Sequence, residues 1–222
     1  MSRSDTTPPT DRVRVRRMPE RGHYDRETID PILDEAIVCH VGFVVDGQPY
    51  VIPSQHVRDG ERLLVHGSSA SRPMRQLAAG VPCCVTVTLL DALVCARSAY
   101  NHSANYRSVA VLGTPTLISD PDAKLAALQL FTNRIIPDRW DQLRPPTDTE
   151  LKATTIVWLP LDEASAKVRT GPPGDPDEDV ADVDCWAGLL PVSTSFGPPI
   201  ADPRLRAGIT VSENIATYAR GR

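Results

Sequence analysis

Residues 38–57 read VCHVGFVVDGQPYVIPSQHV, two β-rich apolar runs joined by Asp46-Gly47. That pair suits a type I′ turn, because both central positions take positive φ and the reversal then follows the twist of paired strands. The stretch therefore predicts an antiparallel hairpin. A chain that starts its core this way folds mainly as β-structure. A second reversal at Arg58-Asp59-Gly60 leads into ERLLVHG, so a third strand is expected directly behind the hairpin.

The rest of the chain extends this pattern. Residues 26–37 place Ile29, Ile32, Leu33, Ala36 and Ile37 on one helical face. Pro31 is tolerable in a first turn, which puts the cap at Thr28 or a neighbour. A short helix is expected over 71–79, with Met74, Leu77 and Ala78 on one side. VPCCVTVTLL and DALVCARSAY read as a strand pair, and YRSVAVLGTPTLI as a longer strand. In DPDAKLAALQLFTNRII, Asp120 caps and Pro121 takes the first helical position. LKATTIVWLPL is the last strong strand. Tight hairpins make the pairing antiparallel, and six or seven strands with short links suggest a closed or nearly closed barrel with helices at its rim.

Four segments are expected: an arm at 1–20, the barrel at 21–170, an acidic loop at 171–184 and an extended segment at 185–222. The loop GPPGDPDEDVADVD holds six acidic residues and no basic one. It reads as a solvated, mobile loop, with a lid or a clasp on the arginine-rich arm as the alternative.

Composition narrows the function. The 222 residues carry a net charge of −4, without the basic face that a nucleic-acid binder needs. No apolar run approaches a membrane span and the N-terminus lacks a secretory apolar core, so a cytoplasmic protein is expected. The five cysteines are odd in number and include no CxxC pair, which fits free thiols rather than a metal site. No dinucleotide fingerprint, P-loop, nucleophile elbow or HExxH is present. Arginine far outnumbers lysine, so each arginine has to be argued by position.

Three polar segments could carry chemistry. In VHGSSASRPMRQL, Ser68, Ser69, Ser71 and Arg72 lie where a strand hands over to a helix. Free backbone N–H groups, hydroxyls and a guanidinium fork there suit a phosphate. The same residues also suit a plain helix cap with solvated arginines. SAYNHSANYRSVAVLG holds more hydrogen-bonding side chains than a minimal hairpin loop requires. In IPSQHV, Pro53 marks an edge or bulge whose freed backbone can bond a flat heterocycle. His56 either touches a ligand or is a satisfied core histidine.

Together these segments resemble the flavin-binding split-barrel proteins of the pyridoxamine 5′-phosphate oxidase-like superfamily, in the branch that includes nitroimidazole-resistance proteins. The matching stretches span about residues 18–170. The resemblance implies a mainly β (α+β) fold: a six-stranded antiparallel split β-barrel with peripheral helices. It also implies a homodimer with FMN at the dimer interface. Ser68, Ser69, Ser71 and Arg72 would hold the FMN phosphate, with His66 just before them. Ile52, Pro53 and Ser54 would face the isoalloxazine ring. Asn105, Tyr106, Arg107 and Ser108 would approach from the partner subunit, with Lys167 and Trp186 at the rim. His56 and His102 are the candidate proton donors to a small nitro- or quinone-like electron acceptor. Pro73 stands where the oxidases carry lysine, which separates the fold from their substrate. A non-catalytic flavin carrier, a haem-binding barrel and a deazaflavin F420 binder are the rival readings.

Overall fold

The computed structural model describes residues 7–218. Among them, ten strands join in one sheet. In chain order the elements are β1 (Gly22–His23), α1 (Arg26–Glu35), β2 (Val38–Val45), β3 (Gln48–Asp59), β4 (Arg62–Ser68), α2 (Arg72–Ala78), β5 (Cys83–Cys95), β6 (Ser103–Gly113), β7 (Thr116–Leu117), α3 (Pro121–Ile135), α4 (Asp148–Ala153), β8 (Thr154–Pro160), β9 (Ala164–Arg169), α5 (Asp177–Asp182), β10 (Gly188–Pro191) and α6 (Glu213–Ala216). The strand order is β1-β9-β6-β5-β2-β3-β4-β8-β7, and every pairing is antiparallel. This is a split barrel with helices at its periphery. Seven of its strands have six or more residues, one more than the six that the resemblance implies.

The Asp46-Gly47 turn forms as its sequence predicts, with φ of 51° and 77°. The barrel interior is filled from alternate positions of each strand: Val41 and Phe43, Leu63 and Val65, Val85 and Val87, Val109 and Val111, Val157 and Leu159. Ile29, Ile32 and Leu33 of α1 close one end of this core. A second, smaller core lies between β3, β4 and β8 on one side and Ala127 and Phe131 of α3 on the other.

Two elements differ from their sequence reading. Residues 83–95 form one long strand instead of a pair, and a register shift between Leu90 and Ala92 bends it. Asp91 is the extra residue of a β-bulge, not a turn; no Gly or Pro stands there to reverse the chain. In α1 the cap is Asp25, whose carboxylate accepts from the Thr28 N–H, so Pro31 lies inside the helix. Its missing N–H removes one rung of the helical ladder, which burial of Ile29, Ile32 and Leu33 offsets.

The flanking segments are tied down. Residues 1–6 of the expected arm lie outside the described residues. From Thr10 onward the arm meets the barrel: Thr10 and Arg12 bind Glu163, and Val13 is buried. The acidic loop carries the short exposed helix α5. Within it, the buried Asp175 side chain accepts from the Arg97 backbone and guanidinium. Through this contact the loop is tied to the β5–β6 connection. Beyond it β10 lies beside the distal half of β5, while β2 takes the proximal half. No described helix is long and apolar enough to cross a membrane.

Candidate functional site

The strand-to-helix junction is built around Ser71. Its hydroxyl caps α2 by accepting from the Met74 N–H and donates to the Ser68 carbonyl, 2.8 Å away. The Ser68 hydroxyl accepts from the Ala70 N–H, and the Ser69 N–H reaches the Ala153 carbonyl at 2.8 Å. Gly67 leaves room for Met74 just before this turn, because a Cβ there would lie 2.9 Å from the Met74 side chain and force it to shift. These bonds fix a tight loop that points Arg72 and Arg75 outward from one face of α2, three residues apart.

The two arginines are unlike their neighbours. Arg26 pairs with Asp30 and Glu61, Arg58 with Asp30 and Asp34, and Arg62 with Asp59. Arg72 and Arg75 have no acidic partner among the described residues. Arg72 instead lies over the Tyr50 ring, with its guanidinium carbon 5.2 Å from the ring centre. Tyr50 and Arg75 were not singled out by sequence; Arg75 was legible as the residue three positions beyond Arg72.

Tyr50 leads onto the outer face of the barrel. Residues Val51, Ile52 and Pro53 are all exposed, Val51 at 66%. Ser54 is half-buried with its hydroxyl near the His66 carbonyl. The adjoining groove has a volume of about 580 Å³ and is lined by Gly42, Val44, Val51, Cys84 and Leu112 among others. Its wall is nearly all apolar, which suits a planar ring or a second protein surface.

The remaining sequence candidates fall in three places. His56 is buried at 3% exposure, and its Nε2 donates to the Leu33 carbonyl at 2.9 Å. It is the satisfied core histidine of the two readings, remote from any open surface. His66 faces the second core, its ring 4.2 Å from that of Phe131, and its Nδ1 is buried without a partner among the described residues. Burial pushes its pKa down. Ser54, Ser68, Ser69, Ser71 and Arg72 are the candidates that share the junction and its approach.

Arg107 belongs elsewhere. Its guanidinium donates to Glu35 at 2.5 and 2.9 Å and to Asp91 at 2.8 and 3.1 Å. These two carboxylates raise its pKa further. They occupy the fork that would otherwise approach a cofactor. The cluster walls a cavity of about 360 Å³ in the gap between β2 and β10, where residues 87–90 of β5 have no ladder partner on that edge. Asp91 and Glu35 were missed by sequence reading; the signal was a lone acid inside an apolar run.

Asn105 is buried and holds the start of the acidic loop, donating to the Gly171 carbonyl and accepting from the buried Arg169. Tyr106 is half-buried on β6, and the Ser108 hydroxyl bonds the Lys167 carbonyl. Lys167 donates its Nζ to the Arg17 carbonyl. Trp186 is 70% exposed, and its ring lies over Gly188, where a Cβ would come within 2.9 Å of it. His102 is exposed on the β5–β6 connection, with its Nδ1 2.9 Å from the Ser98 carbonyl. Cys39 and Cys83 are buried thiols whose pKa burial pushes up to about 12, so they stay protonated near neutral pH. Among the described residues no group of three or more His, Cys, Asp or Glu side chains is placed to hold a metal ion.

The sequence model for pyridoxamine 5′-phosphate oxidase matches residues 25–168. The chain belongs to this family. Among solved structures it is similar to the flavocytochrome Anf3 from Azotobacter vinelandii, at 43% identity and a TM-score of 0.91, over 96% of this chain and 99% of that one. It is also similar to an FAD and haem binding protein from Mycobacterium smegmatis, at 38% identity and a TM-score of 0.84, over 88% of this chain and 95% of that one. A candidate 5-nitroimidazole antibiotic resistance protein from Bacteroides thetaiotaomicron shares the fold at 23% identity and a TM-score of 0.55, over 65% of this chain and 84% of that one. No curated protein matches the chain.

Proposed function

We propose that this chain is a redox protein that holds a flavin nucleotide at the α2 junction and the outer face of the barrel, carries a haem as a second redox group, and works as a homodimer. The observation that carries this reading is the 43% identity, across 96% of the chain, to a protein described as a flavocytochrome. The protein described as binding FAD and haem supports it independently.

The residues present fit a flavin. Its phosphate needs cations that are not already neutralised, and Arg72 and Arg75 are the local guanidiniums without an acid partner. Its ring needs a flat apolar face, which Val51, Ile52 and Pro53 present on β3. The residues also fit a haem, because the exposed imidazoles of His40 and His102 could bind its iron. The flavin, when bound, accepts electrons singly or in pairs and the haem passes them one at a time. The protein's own work is positional. Ser71 sets the loop, Arg72 and Arg75 bind the phosphate, and Tyr50 steadies Arg72 from below.

FMN is the flavin that the cradle itself favours, since one phosphate satisfies it. FAD is the second reading, favoured by the 38% identical relative. A homodimer would cover the apolar groove along β2, β3 and β5, with Val51 at its centre, and bring a second copy against the ring. A small nitro- or quinone-like acceptor rests on fold likeness alone, so the haem is the better supported electron partner of the flavin.

Rapid mixing of the reconstituted protein with NADH, NADPH or dithionite tests the reading. Bleaching of the flavin followed by reduction of the haem supports it. A flavin that is held but never passes electrons on supports a non-catalytic carrier. Binding of F420 in preference to FMN and FAD would overturn it.

A further inference from the structure

We propose that His102 is the axial ligand of the haem; this rests on the haem-protein reading above. An axial histidine needs one ring nitrogen open to the iron and the other anchored by a hydrogen-bond acceptor, which fixes the tautomer and the ring direction. Of the five histidines, His56 and His102 have a ring nitrogen on a backbone carbonyl. His56 makes that bond while buried at 3% exposure, with no room for a macrocycle. His102 is exposed. A carbonyl only accepts, so the His102 Nδ1 carries the proton and the Nε2 lone pair is left free. His66 lacks such an anchor, because its Nδ1 is buried with no partner among the described residues.

The surface beside His102 suits a porphyrin. Leu93 of β5 pairs with Leu190 of β10 on one side and with Ala104 of β6 on the other. These pairings and that of Gly188 with Cys95 put Gly188, Leu190, Leu93, Cys95 and Ala104 on one face; Trp186 precedes β10 and lies over Gly188, and His102 directly precedes β6. Exposure there is high for apolar residues: 70% for Trp186, 56% for Leu190 and 44% for Leu93. The absence of a side chain on Gly188 lets the Trp186 indole lie down over β10, since its ring atoms would sit 2.9 and 3.1 Å from a Cβ. The result is a shallow apolar platform with one pre-oriented imidazole at its edge. A haem bound there would cover the platform, and Asp175 holding Arg97 would keep the His102 connection in place.

The test is titration of haemin into the purified full-length chain, followed by absorption and electron paramagnetic resonance, for the wild type and for H102A, H102G and W186A. The expected result is a histidine-ligated Soret spectrum in the wild type. H102A should lose it, with haem affinity falling about tenfold or more. Added imidazole should restore it in H102G, as a merely structural role would not allow. W186A should weaken haem binding while keeping the ligation signature. The far-ultraviolet circular dichroism should not change in any variant. An unchanged Soret spectrum in H102A would overturn the assignment of His102 and leave the haem reading standing. A wild type that binds no haemin would overturn the haem reading, and this assignment with it.

Discussion

Arg72 and Arg107 are the same residue type in the same barrel, and their surroundings give them opposite roles. Arg107 is closed: two carboxylates, from the end of α1 and from the bulge of β5, fill its fork. Arg72 is open: it rests on an aromatic ring, at the start of a helix whose cap is already satisfied by Ser71. A guanidinium binds a new anion in proportion to the donors that the protein has left free. An arginine-rich sequence does not reveal which residues those are. The difference depends on partners 72 and 16 positions away in the chain.

The comparison can be broken from either side. The largest effect expected is on ligand binding at the open site. Arg72→Ala should cost flavin affinity about 1.5–3 kcal/mol, the worth of a charged hydrogen bond, and should leave thermal stability within about 0.5 kcal/mol. Isothermal titration and a melting curve measure the two. The closed site should respond in the opposite sense. Arg107→Ala leaves Glu35 and Asp91 facing each other without their cation. A fully buried pair broken in this way loses about 3–5 kcal/mol. These side chains are about a third exposed (30%, 33% and 32%), so solvent screening lowers the expected loss to about 2 kcal/mol. Urea denaturation would show it, with flavin affinity per folded molecule unchanged. If Arg107→Ala instead abolished flavin binding in a stable protein, the two roles would have been assigned the wrong way round.

A smaller effect should come from His66, beneath the junction. Burial lowers its pKa in the folded protein from an ordinary value of 6.5. The unfolded chain therefore binds this proton first as pH falls. Stability from this group is full above about pH 6.5 and declines below it, levelling off once pH passes the folded value. His66→Phe should flatten that part of the stability–pH curve. An identical curve for wild type and variant would show that His66 titrates without cost.

Local chemistry was legible in the sequence, and long-range pairing was not. The Asp46-Gly47 turn, the Asp120 cap and the Ser71 cap each follow from a few adjacent residues, and all three form. The bulge at Asp91 looked like a break between strands, because only its partners on β6 show that the ladder continues. His56 could not be separated from a ligand contact without knowing that the Leu33 carbonyl lies 2.9 Å away. The site was legible to the extent that it is local. The junction from Ser68 to Arg72 is a reading of adjacent residues, whereas Tyr50 beneath Arg72 and the neutralisation of Arg107 exist only in the folded chain.

The central claim is that one chain carries a flavin and a haem on this barrel. The absorption spectrum of the purified protein, taken before and after addition of FMN, FAD and haemin, tests it most directly. Flavin bands and a Soret band on the same monodisperse species are predicted. A colourless protein whose spectrum is unchanged by all three additions would contradict it.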